Sequence, residues 1–328
     1  MAKYLTKFTD QAAYEAGEKQ YPNVSLLDNG DVKYKAEAPN KVKLKYLNGD
    51  VVLVECDGTG IVTSGEVANK SNVVEAIFGE CVSTIGGAIF TDDRNLSAAT
   101  IPEGVTTIER FAFANTALAS INLPNTITTI GNNAFSRTNI TSIAFPSGIT
   151  AISEGVCDTC AQLTSVTFND NITTIGAQAF YNCSGLMSIT LPSGLRTIAR
   201  AAFANTGIES VDFPLGTTDI RGFNGCASLT SATIPSSVTT IKEECFEQCT
   251  SLREIDIPSS VTKIEGWAFD GCSGLQSITC RRTTPPTLGN NKVFNGSTCA
   301  IFVPAESVSA YQSAWLWSNW ASRIQAIQ

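Results

Sequence analysis

Apolar positions in this chain recur with a fixed period. The apolar residue that closes the phrase V-T-x-I falls at Ile85, Ile108, Ile130, Ile152, Ile175, Ile198, Ile220, Ile241 and Ile264, in steps of 23, 22, 22, 23, 23, 22, 21 and 23 residues. Each is followed by G-x-x-A-F or a relative of it, as in Gly131 to Ala134-Phe135 and Gly176 to Ala179-Phe180. A small residue comes next, then L-x-S-I-x-L-P, as in Leu186, Ser188, Ile189, Leu191 and Pro192. Nine copies run from about residue 81 to 280. A period in this range marks a repeat architecture in which each copy is one supersecondary unit.

The pattern of one copy dictates its local structure. In L-x-x-I-x-L the last apolar residues stand two apart, so they point to the same side of an extended strand. Proline then ends the strand, because it cannot donate to a ladder. The next apolar pair, such as Val105 and Ile108, turns the chain inward again. The short G-x-x-A-F segment is expected to form one helical turn that buries the aromatic ring of Phe113, Phe135, Phe180, Phe203, Phe223, Phe246 and Phe269. One copy cannot bury these faces alone, so the copies must stack with their strands in parallel. Two copies depart from the pattern: Val156-Cys157 stands where Ala-Phe is expected, and residues 216–223 are shortened.

The ends do not repeat. Residues 1–36 form an N-terminal module, with a short helix expected from Thr9-Asp10 to about Lys19. Residues 37–80 read as a β-hairpin and N-terminal cap: Val42, Leu44 and Tyr46 alternate with lysines, and Asn48-Gly49 supplies the turn into Val51–Val54. Residues 81–280 are the repeats. In residues 281–328, Pro285-Pro286 is expected to break the repeat, followed by a strand at Ala300–Val303 and a helix from Pro304 to about Trp315. That helix would present Val308, Tyr311 and Trp315 on one face, and the tryptophans crowded there are read as a hydrophobic cap over the last coil.

The phrase I-x-L-P-x-x-V/I-T-x-I-G-x-x-A-F-x-x-C-x-x-L, nearly whole at Ile189 to Leu191 and Ile175 to Leu186, resembles the BspA-like subgroup of leucine-rich repeats. Ala300 to Pro304, followed by Glu306-Ser307-Val308 and Tyr311, is similar to the C-terminal segment of gut Bacteroidetes members. The resemblance implies an α/β leucine-rich-repeat solenoid with a parallel β-sheet, short helical turns and non-repeat caps at both ends. It also implies adhesion, through that scaffold, to host or bacterial partners.

Composition narrows the chemistry. Charged residues are 16% of the chain, below the roughly 25% of an average soluble protein, and hydrophobic residues are 43%. The net charge is -8, and residues 81–280 carry all of it while the flanks cancel. So acidic a middle repels phosphate backbones, which excludes nucleic acid as a partner. No stretch approaches the about 20 apolar residues of a membrane span, and the first twenty residues contain no apolar run of signal-peptide type. Histidine is absent, which removes imidazole-based nucleophile systems and His-ligated metals. No Gly-rich phosphate loop appears. We therefore expect no enzyme, no cofactor and no metal.

Eleven cysteines nevertheless suggest chemistry, and Cys157-x-x-Cys160 has redox-motif spacing. Their phase in the repeat argues otherwise. Cys160, Cys183, Cys226, Cys249 and Cys272 lie three residues before the strand leucine of their coils, where Thr116, Thr138 and Thr206 stand in others. Cys157 takes the Phe position and Cys245 the Ala position. These are core columns, where cysteine behaves as a small hydrophobe, and free thiols are expected. The carboxylate pairs Asp92-Asp93 and Glu243-Glu244 are read as solvated.

Function is expected on the outward sheet face. Its columns read Ser120, Ser142, Ser165, Ser188, Ser210, Ser231, Glu254, Ser277 and Asn122, Ala144, Thr167, Thr190, Asp212, Thr233, Asp256, Thr279. Against that hydroxylated background, Glu209, Asp212, Arg253, Glu254 and Asp256 are the distinctive candidates for partner binding. The expected function is a non-enzymatic binding scaffold outside the cell or on its surface, recognising a protein or glycan on a host or bacterial surface. The alternative is a structural component of a phage particle or secretion apparatus, with the N-terminal segment docking or forming a homo-oligomer. Its motive is Met1 without an export signal, and similar repeats are borne by phages of Bacteroidetes.

Overall fold

The computed structural model describes residues 41–55, 60–63, 72–80 and 82–328, together with the backbone of short strands at Tyr4–Leu5, Val24–Leu26 and Val32–Tyr34. The helix expected between residues 9 and 19 lies outside the described residues. Two compact units, Met1–Gly148 and Ile149–Gln328, are each built of stacked coils of a parallel-sheet solenoid.

In the first unit, Lys41–Tyr46 and Val51–Glu55 pair antiparallel as a hairpin, with Gly49 at φ 84 in the turn. A positive φ at low cost is what glycine supplies there. Val73–Phe78 runs antiparallel to Lys41–Tyr46 on one side and parallel to Ala98–Thr100 on the other, which joins the hairpin to the first coil. The V-T-x-I phrases form a second ladder, where Thr84-Ile85 pairs in parallel with Ile61-Val62 and with Thr107-Ile108, and Thr107-Ile108 with Thr129-Ile130. This ladder therefore starts one coil before residue 81.

The second unit repeats the plan. Ala151-Ile152, Thr174-Ile175 and Thr197-Ile198 form one run of short parallel pairs, and Thr240-Ile241, Lys263-Ile264 and Thr287-Leu288 form another. A bridge from Thr197 to Asp219 and one from Ile220 to Ile241 link them through the shortened coil. Pro285-Pro286 lengthens its coil without breaking the ladder, since Thr287-Leu288 still pairs. The larger sheet holds Glu254–Ile257, Ser277–Cys280, Ala300–Val303 and Ile324–Ala326 in parallel register.

Phenylalanine rings fill a central column. In the first unit Phe90, Phe113 and Phe135 stack at 5.8 and 5.7 Å. In the second, Phe180, Phe203, Phe223, Phe246, Phe269 and Phe294 stack at 5.4, 5.2, 6.2, 5.6 and 5.8 Å. All are fully buried, and burying each ring stabilises the fold by roughly 2–3 kcal/mol.

The G-x-x-A-F segment is not a helical turn. In most turns two residues four apart take positive φ, as at Phe111 (58°) and Asn115 (56°), Asn133 (57°) and Arg137 (57°), Gln178 (54°) and Asn182 (58°), and Glu244 (58°) and Gln248 (59°). Along the turn the N–H groups donate alternately within the coil and to the next coil. Ala112 and Ala114 N–H donate within the coil to Glu109 O and Phe111 O, while Phe111, Phe113 and Asn115 N–H donate to Asn132, Ala134 and Ser136 of the next coil. The turns thus form a third ladder. Close approach explains the leading glycine: a Cβ on Gly131 would lie 2.4 Å from Arg110 N.

The C-terminal segment departs from the single helix read in the sequence. A 3-10 turn at Ala305–Ser307 leads into an α-helix at Val308–Ser313, and a left-handed Leu316 (φ 65) starts a second 3-10 segment, Trp317–Arg323. That turn swaps the tryptophans. Trp315 is 76% exposed, and Trp317 (1%) caps the Phe column instead, 5.6 Å from Phe294 and 4.8 Å from Tyr311. Its indole N–H donates to Pro286 O at 2.7 Å, and Tyr311 OH donates to Arg282 O at 2.8 Å. Both polar ends are satisfied, as buried Tyr and Trp require.

Candidate functional site

The pleat decides which side chains reach the outward face. In Glu254–Ile257 the burial alternates, with Ile255 and Ile257 inward and Glu254 and Asp256 exposed. Ser210–Asp212 does the same, with Val211 buried. Parallel register then sets Ser210 beside Ser231, Asp212 beside Thr233, Glu254 beside Ser277, and Asp256 beside Thr279. Every carboxylate column position therefore has a hydroxyl neighbour, and Thr233 Oγ1 donates to Asp212 Oδ1 at 2.8 Å.

The face is concave between these strands. A groove of about 460 Å³ is lined by Ser231, Thr233, Glu254, Asp256, Thr279 and Arg281, among others. Glu254 and Asp256 are the expected residues that the fold brings into it. Asp212 lies one strand away, reaching toward the groove through Thr233. Glu209 and Arg253 stand one residue before their strands, exposed on the rim, with Thr230 between them: Thr230 N–H donates to Glu209 O and Arg253 N–H to Thr230 O.

Arg281 was missed. Its Nε lies 2.8 Å from both Asp256 oxygens and its Nη2 2.6 Å from Oδ2. Planar donors meeting a carboxylate with two contacts fix both side chains, and this hydrogen bonding raises the guanidinium pKa further. The period of the repeat ended the sequence reading at residue 280. The signal was nevertheless present, because 281 continues the alternation of Ser277 and Thr279. The result is an exposed, ordered patch of donors and acceptors, with no imidazole in the chain to activate its hydroxyls.

The other candidate chemistry dissolves into the core. The nine described cysteines are buried thiols. Cys183, Cys226, Cys249 and Cys272 donate S–H to the carbonyls of Cys157, Phe203, Phe223 and Phe246, one coil back, at 3.0–3.2 Å. Where threonine takes the column, Thr116, Thr138 and Thr206 Oγ1 donate to the Phe carbonyl of their own coil at 2.8–2.9 Å. Burial pushes these thiols up, Cys272 to about 12, which keeps them protonated at neutral pH.

Neither carboxylate pair is simply solvated. Asp93 occupies the same column as the cysteines and is fully buried, accepting from Asn95 N–H through Oδ1. Glu244 pairs with Arg200 at 3.0 Å. Among the described residues no group of three Cys, Asp or Glu could hold a metal ion, and no helix is long and apolar enough to cross a membrane.

A sequence profile described as the BspA type leucine rich repeat region (6 copies) matches residues 64–187, 106–222, 150–276 and 220–314. No curated protein matches the chain. Among solved structures, a leucine-rich repeat protein from Bacteroides ovatus is 22% identical over 93% of this chain and 98% of its own, with a TM-score of 0.44. A leucine rich cell surface protein from Faecalibacterium prausnitzii is 20% identical over 98% of this chain and 99% of its own, with a TM-score of 0.43. The pneumococcal vaccine antigen PcpA is 19% identical over 69% of this chain and 67% of its own, with a TM-score of 0.48.

Proposed function

The chain belongs to the BspA-type leucine-rich repeat family, whose repeats make protein-binding scaffolds, and from that premise we propose a non-enzymatic adhesion scaffold displayed outside the cell. It contacts a macromolecular partner, on a host or bacterial surface, through the outward sheet face of the second unit. The observation that carries this reading is the groove in which Glu254, Asp256 and Arg281 stand exposed, Asp256 and Arg281 held by each other and Glu254 by the strand register. Asp212, Glu209 and Arg253 form its polar surround. Ordered charges that are exposed steer encounter and fix register, which suits a scaffold that holds many weak contacts at once.

The test is surface plasmon resonance of the wild type and of a Glu254→Lys, Asp256→Lys variant over mucin, matrix proteins and intact bacterial surfaces. Binding by the wild type to at least one surface, weakened about tenfold or more in the variant, supports the assignment. Equal affinity of the two removes the groove from the interface.

A further inference from the structure

The shortened coil of the second unit opens a slot on the turn side of the coils. Isoleucine and phenylalanine are three apart at Ile220 and Phe223, against five at Ile198 and Phe203 or Ile241 and Phe246. The ladder shows which residues are missing. Phe203 N–H donates to Gly222 O at 2.8 Å, as Phe180 N–H donates to Ala202 O at 2.8 Å, so Gly222 stands in the alanine position. The counterparts of Arg200-Ala201 and of Glu243-Glu244 are therefore absent. Elsewhere the left-handed residue donates to the next coil, Gln178 N–H to Arg200 O at 3.0 Å and Glu244 N–H to Gly266 O at 3.1 Å. Ala201 N–H makes no such rung, because the short coil offers no carbonyl there. Gly222 (φ +90) closes the coil where a Cβ would lie 2.5 Å from Ala202 N.

What remains is a cavity of about 390 Å³ lined by Gln178, Tyr181, Arg200, Ala201, Asn224 and Glu244. Arg200 Nη2 spans the gap to Glu244 Oε2 at 3.0 Å, with 71% and 30% of the two side chains exposed. An ion pair that exposed is weak and exchanges readily for other partners.

We propose that this slot binds one pyranose ring of a glycan. It is a single missing rung wide, roughly 10 Å between the flanking coils, which admits one ring and closes against an extended chain. Tyr181 lines the slot with an aromatic ring, the kind of surface against which the C–H side of a sugar packs. Arg200, Glu244, Asn224 and Gln178 offer planar groups with paired donors or acceptors, the geometry that meets neighbouring hydroxyls. Ala201 supplies a small floor and a free N–H. The slot lies on the turns, away from Glu254 and Asp256 on the sheet strands, so it is a second site and does not rest on the sheet-face reading.

The experiment is saturation-transfer NMR on the full chain with methyl pyranosides of glucose, galactose, mannose, fucose and N-acetylglucosamine at millimolar concentration. At least one is expected to take up saturation through its ring C–H protons. Tyr181→Ala and Arg200→Ala are each expected to weaken that binding about tenfold or more. Arg200 is exposed enough that its variant folds even if Tyr181→Ala does not. Glu254→Lys with Asp256→Lys leaves the sugar signal in place, so failure of one site is told from failure of the other. Saturation of no pyranoside, or a signal unchanged in folded Arg200→Ala, overturns the proposal.

Discussion

At the scale of the residue, one column of the coil, held by Asp93 in one copy, otherwise takes cysteine, threonine or serine, which can hand a hydrogen to a turn carbonyl as Ser297 does to Phe294 O. Cys249 does so to Phe223 O and Thr206 to Phe203 O. Cys249→Thr is therefore expected to cost no more than about 1 kcal/mol in chemical denaturation, whereas Cys249→Leu overpacks the column and costs about 1–3. The buried thiols also set a pH dependence. Their folded pKa values lie above the unfolded value of about 8.5, so the folded state holds protons that the unfolded state releases. Stability is full below about pH 8.5 and falls as pH rises toward the folded values, such as about 12 for Cys272. A melting temperature flat from pH 7 to 8 and declining above about 9, with a shallower decline in a Cys249→Thr, Cys272→Thr variant, is the expected profile. Left-handed turn residues make a further prediction. Arg137 sits at φ 57 with an exposed side chain. Arg137→Gly is expected to be neutral or stabilising by up to about 1 kcal/mol, and Arg137→Val destabilising by about 1–2, since a β-branched side chain fits that backbone worst.

At the scale of the element, the ring column and the short ladders carry the coil. Phe203 lies between Phe180 and Phe223 at 5.4 and 5.2 Å. Phe203→Ala removes both contacts and leaves a cavity, at an expected cost of about 3–5 kcal/mol in urea unfolding. These features were legible because apolar periodicity is a property of side chains, and Ile130, Phe135 and Leu186 announce where they point. The turn was not legible for a backbone reason. Ala88, Gln178 and Glu244 are good helix formers, and nothing in their side chains declares a positive φ. The neighbouring copies held the hint: Asn133 occupies the same place, as does Gly155, and Asn115, Asn182, Asn205, Gly271 and Gly296 fill the second left-handed position. Asparagine and glycine recurring in one column mark left-handed backbone. In the candidate site, Glu254 and Asp256 could be read from alternation. Arg281 continues the same alternation but stands past residue 280, where the repeat phrase ends. Likewise the slot near Arg200 was visible only as a shortened spacing, since which rung a deletion removes is decided by hydrogen bonds.

At the scale of the whole molecule, stability is a sum over coils and their nearest neighbours, so damage stays local. Trp317 closes the second unit over Phe294. Trp317→Ala is expected to speed amide exchange across residues 287–303 while residues 174–198 keep their protection in hydrogen–deuterium exchange. Faster exchange throughout the unit would mean that it folds as a single block. The proposed binding also belongs to this scale, because in the second unit Glu254–Ile257, Ser277–Cys280 and Ala300–Val303 set one outward face side by side in parallel register. Binding through that face can be tested directly, because the described cysteines are buried. With Cys56 and Cys81 replaced by serine, a single cysteine introduced on the surface can be tagged with a maleimide–polyethylene glycol. A tag at Thr233→Cys, beside Asp212 on the sheet face, is expected to abolish binding to the surface that the wild type recognises, and a tag at Thr262→Cys, one residue before the short ladder strand Lys263-Ile264, to leave it intact. Binding that survives the tag at 233 would contradict the claim.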